Sequence, residues 1–204
     1  MGRIIKTYEA KNEEEVIQLA CQDLGVTPEE LTYEIIEEKK GLFSKKIVIQ
    51  CYTEDMIREY IENFVRKTLT NMEFEVETVS YIQDGRIYCN VNTNNNSILI
   101  GKNGIILRAL NFIVKNAVNN EFKKRVEMSI DINGYKESRY KKMASMAKKM
   151  GKQVLRTKVD VKLDPLPADE RKVIHQVIAD MDSHLKTESK GEGKNRFITI
   201  SYVK

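Results

Sequence analysis

Between Ile98 and Val118 the chain reads ILIGKNGIILRALNFIVKNAV, two apolar segments joined by Gly101-Lys102-Asn103-Gly104. No other stretch restricts the fold as much. After the second glycine, Ile106, Leu110, Ile113 and Ala117 recur at helical spacing and predict a buried face, with Arg108, Asn111 and Lys115 on the opposite one. Two glycines flanking two polar residues let the backbone of a helix-loop-helix come close to a ligand, because neither carries a Cβ. The second glycine opens a helix, whose free N–H groups and positive dipole end favour a phosphate. Lys102 places a positive charge inside the loop. The ligand expected from these residues is a phosphodiester backbone.

The flanking segments give the loop a setting. Thr53 is expected to cap a helix running to about Asn71, with Glu54 and Asp55 in its first turn and Ile57, Tyr60, Ile61, Phe64, Val65 and Leu69 as its core stripe. Strands are predicted over 74–82 and 86–92, joined by the hairpin signal Asp84-Gly85, and another over 125–132. The order helix-strand-strand-helix-loop-helix-strand resembles a KH domain of the bacterial, type II topology. The loop is similar to the GXXG loop with which KH domains clamp about four nucleotides of single strand. That resemblance implies that Gly101, Lys102, Asn103 and Gly104 hold RNA, with Arg108 beside them.

Before this unit, alternation predicts a strand over 3–10, a helix over 12–24 ended by Gly25, a turn at Thr27-Pro28-Glu29-Glu30, and strands over 31–37 and 46–52. The connection Lys39-Lys40-Gly41-Leu42-Phe43-Ser44 carries an apolar pair, Leu42 and Phe43, which either folds back on its own domain or forms a docking tip. The cysteines, Cys21, Cys51 and Cys89, are far apart and are expected to be small core residues.

Charge divides the chain unevenly. Residues 1–53 are net −3 and 54–133 net −1, whereas 134–204 hold 17 Lys/Arg against 9 Asp/Glu, net +8. The positive excess of the last third suits a polyanion. There a helix is predicted over 135–156, with Met143, Met146, Met150 and Val154 on one side and Lys141, Lys148, Lys152 and Arg156 on another. With no acid after Glu137 to balance it, that stripe is either a solvated face or a nucleic-acid contact. A strand is expected over 159–163, then Pro165 and Pro167, a helix with Asp169 and Glu170 in its first turn, a loop at Gly191 and Gly193, and a last strand over 197–203.

On that helix Arg171 and His175 lie one turn apart at the edge of the stripe Ile174, Val177, Ile178 and Met181. Both side chains can donate to phosphate oxygens, although a lone histidine can equally be a packed residue bonded to backbone. Arg-x-x-x-His followed by Thr187-Glu188-Ser189-x-Gly191-x-Gly193-x-x-Arg196 resembles an R3H domain, a module associated with single-stranded nucleic acid.

A small β-α-β-β unit, a KH-like unit and an R3H-like unit in this order resemble the Jag family, also called SpoIIIJ-associated or KhpB, of bacterial RNA-binding proteins. The resemblance implies an α+β chain of three domains, 1–53, 54–133 and 134–204. It implies an RNA chaperone or post-transcriptional regulator linked to cell-envelope growth, cell elongation and cell shape, with a second small KH protein as a possible partner. Lys39, Lys40 and Gly41 match the start of the family's N-terminal loop motif; the family continues to a further glycine after the apolar pair, and here Ser44 follows Phe43. The alternative is a protein-interaction adaptor near the membrane insertase or division machinery that binds nucleic acid secondarily. Exposed strand edges and the Leu42-Phe43 tip predict a homodimer.

Enzyme chemistry finds little support. A P-loop needs glycine where Asn96 stands and Ser or Thr where Asn103 stands. His175 and His184 are the only histidines, and neither has metal-ligand spacing to a cysteine. No catalytic residue, metal ligand or cofactor is expected. The start, MGRIIKTYEA, shows no apolar signal core, and Lys6 occupies the place where a myristoylation pattern needs Ser or Thr. No apolar run is expected to reach membrane-spanning length, so a cytoplasmic protein without an integral membrane segment is expected.

Overall fold

A computed structural model describes residues 4–40 and 45–203, so the Leu42-Phe43 tip lies outside the described residues. The architecture is α+β and multi-domain. By backbone contacts the chain divides into two compact units, Met1–Asn133 and Gly134–Lys204. The first unit contains two three-stranded sheets and the second contains one.

The first sheet is built from β1 (Lys6–Ala10), β2 (Thr32–Lys40) and β3 (Lys45–Tyr52), all antiparallel with β3 central. One helix, α1 (Glu13–Leu24), covers it. Asn12 Oδ1 accepts the Glu15 N–H at 2.9 Å to cap the start, and Gly25 ends the helix at φ 67°. Val16 and Ala20 of α1 pack on Leu31, Ile49 and Cys51.

Only Thr53 separates β3 from α2 (Glu54–Thr70), and its Oγ1 accepts the Met56 N–H. The second sheet holds β4 (Val76–Gln83), β5 (Arg86–Thr93) and β6 (Met128–Ile132) in that spatial order. Asp84 at φ 51° and Gly85 at φ 68° give the tight β4–β5 hairpin the left-handed backbone that such turns require. Strands β5 and β6 run parallel, which requires a crossover. That crossover is α3 (Asn96–Ile100) followed by α4 (Ile105–Glu121), hinged at the two glycines. Phe122, just after α4, receives Tyr52 at 5.1 Å and Tyr60 at 5.5 Å, both edge-on, so the two sheets' elements share an aromatic cluster.

Two expectations for this region are corrected. The buried residues of α4 are Leu107, Leu110, Val114 and Val118, whereas Ile106 and Ile113 are exposed. Asn111 is not on the solvent face: its Oδ1 accepts the Ile130 N–H of β6 at 2.9 Å, and Lys115 reaches Glu127 at 3.6 Å. The helix is apolar on two sides, so periodicity could not select the face that packs. The same apolar surplus makes Asn96–Glu121 long and apolar enough, by length and composition, to cross a membrane, contrary to expectation. Here it is two helices meeting at a kink, the second packed on its sheet.

Cys51 and Cys89 are fully buried, and burial pushes their thiols up to about 11 and about 12; Cys21 is only partly buried.

The second unit begins with α5 (Tyr135–Thr157), followed by β7 (Val161–Lys162), α6 (Ala168–Ala179), β8 (Leu185–Lys190) and β9 (Phe197–Tyr202). Its antiparallel sheet has β9 central. Met143, Ala147 and Val154 of α5, Ile174 and Ile178 of α6, and Ile198 and Ile200 of β9 form the core. Buried Glu170 takes a two-pronged bond from Arg139 at 3.0 Å on each oxygen, tying the first turns of α6 to α5. Strand β8 is absent from the sequence reading. Its inward residues after Leu185 are Thr187 and Ser189, so it lacks the apolar alternation by which strands are recognised.

Candidate nucleic-acid interface

The loop between α3 and α4 has a backbone that few residues tolerate. Gly101 lies at φ 68°, ψ 178° and Gly104 at φ 73°, with Asn103 between them at φ 53°. A Cβ on Gly101 would stand 2.7 Å from Ile106 Cγ1, so packing and dihedral angles both demand glycine there. Asparagine is one of the few side-chain-bearing residues common in the left-handed region that Asn103 occupies. The Gly104 N–H closes on Gly101 O at 3.1 Å, and Arg108 Nη1 donates to Asn103 O at 2.7 Å. Arg108 thus braces the loop from the first turn of α4. Lys102 and Asn103 are exposed at its tip.

In the second unit α6 faces β8 across a polar cluster. Arg171 Nε donates to Leu166 O at 3.1 Å and its Nη1 donates to Ser189 Oγ at 2.8 Å. His175, one turn on, touches Thr187 Oγ1 through Nδ1 at 2.6 Å and the same Ser189 Oγ through Nε2 at 3.0 Å. Both partners of the imidazole are hydroxyls rather than backbone, and a hydroxyl can donate or accept. Burial and the neighbouring Arg171 guanidinium hold His175 below the ordinary histidine range. Arg196 precedes β9 with an exposed side chain, and its carbonyl accepts the Leu166 N–H at 3.1 Å, which steadies the residue that anchors Arg171. The structure therefore brings Arg171, His175 and Ser189 together and joins Arg196 to them only through its backbone, by way of Leu166.

Along α5, Lys148, Lys152 and Arg156 are exposed. Lys141 differs, because Glu137 one turn earlier pairs with it, and that lysine holds the Glu137 carboxyl below its usual range. Two further lysines were missed by sequence reading. Lys158 Nζ lies 3.4 Å from the centroid of Tyr202, and Lys162 Nζ lies 4.1 Å from that of Phe197. They meet these rings only through the sheet, so no local pattern marks them.

Family comparisons agree with this layout at both ends. The family described as Jag N-terminus matches residues 8–52, and the R3H domain family matches residues 141–202. Over 201 residues the chain is 30% identical to the RNA-binding protein KhpB of Clostridium symbiosum, covering 96% of this chain and 90% of that one. The chain belongs to the Jag/KhpB family. A second family member, the RNA-binding protein KhpB of Bacillus subtilis, is 29% identical over 210 residues, 96% of this chain and 97% of its own length. The KhpB of Streptococcus pneumoniae serotype 2 is 28% identical over 137 residues, 67% of this chain and 42% of that protein. Within this family frame, the β-α-β-β sheet of β1 to β3 is the Jag N-terminal part. The α6–β8 cluster lies inside the R3H part.

Proposed function

We propose that the chain binds single-stranded RNA, with residues 54–133 acting as a KH domain and 134–204 as an R3H domain after an N-terminal domain of residues 1–53. The observation that carries this reading is the loop Gly101–Gly104. Its two glycines sit at positive φ, its tip carries exposed Lys102 and Asn103, and Arg108 holds it in shape at the head of a helix. Relatives named as RNA-binding proteins along nearly the whole chain support the same reading. In it, Gly101 and Gly104 admit the sugar-phosphate backbone, and Lys102 and Asn103 contact it. Arg171, His175 and Arg196 bind phosphate in the second unit, and Lys148, Lys152 and Arg156, with Lys141 partly neutralised, supply long-range attraction. The role is that of a non-catalytic cytoplasmic RNA chaperone or post-transcriptional regulator serving cell-envelope growth and elongation, self-associating as a homodimer.

The test is binding of a fluorescent single-stranded RNA to the chain carrying Lys102→Asp with Asn103→Asp. Both side chains are exposed and Asp tolerates the left-handed backbone, so thermal stability is expected to hold while affinity falls at least about tenfold. Unchanged affinity at unchanged stability would falsify the loop's role.

A second reading, a protein-binding adaptor, is favoured by one specific observation. Ile105, Ile106, Phe112 and Ile113 leave a run of exposed apolar side chains on α4, the kind of surface that proteins use to dock on one another.

A further inference from the structure

The sheet of the second unit has two unlike faces. Leu185, Ile198 and Ile200 point inward to α5 and α6. By alternation, Lys186, Glu188 and Lys190 of β8, and Phe197, Thr199 and Ser201 of β9, point the other way. Lys162 of β7 joins them, since its neighbour Val161 packs on the core and its ammonium lies 4.1 Å from the Phe197 ring. The register sets Lys190 directly opposite Phe197 and Lys162 directly opposite Thr199, so one aromatic ring is flanked by a lysine on each neighbouring strand. None of the helices of this unit covers that face, and Lys162, Lys186 and Lys190 are exposed.

We propose that this open sheet face is a second contact surface for single-stranded nucleic acid, in which an unpaired base stacks on Phe197 while Lys162, Lys186 and Lys190 hold the flanking phosphates. The inference rests on the RNA-binding reading above and adds a site to it, on the opposite side of the sheet from Arg171 and His175.

Three observations favour this occupant. The face is net positive: Glu188 offsets only Lys190, at 3.1 Å, and leaves Lys162 and Lys186 without an acidic partner among the described residues. An aromatic ring on a flat sheet, bordered by cations on mobile stems, is the arrangement by which sheets bind single strands, because every base offers a π-face. The Lys162 stem is long and flexible, so its ammonium can leave the ring for a phosphate without moving the backbone. A duplex is excluded, since its bases are stacked on one another and cannot reach a ring lying within a sheet.

The chain contains no tryptophan, so Phe197→Trp in the full-length protein places a single tryptophan on this face, excited selectively at the red edge where tyrosine does not absorb. Titration with a uridine homopolymer RNA is expected to quench it along the same isotherm that anisotropy of labelled RNA reports. Phe197→Leu is expected to weaken binding at least about fivefold, the size of one lost base stack. Replacing Lys162, Lys186 and Lys190 together by Gln is expected to lower the log-log salt slope by about two. If the Leu variant melts early, the tryptophan signal still decides. Absence of quenching, with the chain still binding RNA, overturns this surface and leaves the loop reading standing. Failure of the unaltered chain to bind any single strand removes the RNA reading and this site with it.

Discussion

His175 sits between two hydroxyls with a guanidinium one turn away, and that setting makes its protonation one contribution to how the second unit responds to acid. In the unfolded chain a histidine takes up its proton near pH 6.5, while the folded environment resists protonation. The unfolded state therefore binds more protons just below that pH, and folding stability declines as pH falls from about 7 towards 5. Replacing His175 by Gln, which keeps a hydrogen-bonding side chain but cannot titrate, is expected to flatten this decline in melting temperature. An unchanged slope would mean that other groups set it. Phosphate bound there, as proposed above, would act in the opposite sense, because an anion beside the imidazole favours its charged form. Arg171 and His175 were legible as a pair from their spacing. The hydroxyls that orient them, on Thr187 and Ser189, stand in the same stretch of sequence, but their inward direction depends on the pairing of β8 with β9.

At the level of elements, α4 and α5 show two ways in which one helix can be misread. In α4 the apolar side chains exceed what one packing face needs, so the spacing was right and the face was shifted by one residue. The error lay in assigning Ile106 and Ile113 to the core in place of Leu107 and Val114. In α5 the side that carries Met143, Met146, Met150 and Val154 packs on the core, and Gly151, a residue without a side chain, is buried in that contact. A Cβ on Gly151 would meet Met181 Sδ at 2.8 Å and Ile178 Cδ1 at 2.9 Å. Ile178 Cδ1 ends its side chain and Met181 Sδ lies one bond from the end of a flexible one, and alanine gains about 1 kcal/mol of helix propensity over glycine. Gly151→Ala is therefore expected to be close to neutral. Gly151→Leu must push α6 and β8 away and is expected to cost about 1–3 kcal/mol. Thermal denaturation of the two variants separates the outcomes; equal melting temperatures would mean that the helices are not in close contact there.

Over the whole molecule, charge separates from geometry. The glycine loop belongs to a part that is net −1, which cannot draw a polyanion from a distance, whereas residues 134–204 carry net +8. Neutralising Lys148, Lys152 and Arg156 together in the full chain is expected to reduce the log-log salt slope of RNA binding by about two, if each touches a phosphate. The loop variant is expected to lower affinity with little change in slope beyond the one lysine lost. A triple variant with an unchanged slope would mark the stripe as a solvated face. Much of this organisation was readable along the chain. The Thr53 helix cap, the Asp84-Gly85 turn and the loop glycines act over a few residues, so their signals are local. The charge of each segment is a count and needs no fold. Long-range pairing and packing left no such trace: the face of α4 that meets the sheet, the polar strand β8, the Arg139–Glu170 bond and the lysines set over Tyr202 and Phe197. Each depends on a partner brought near by strand register or helix packing, and such contacts exist only once the chain has folded.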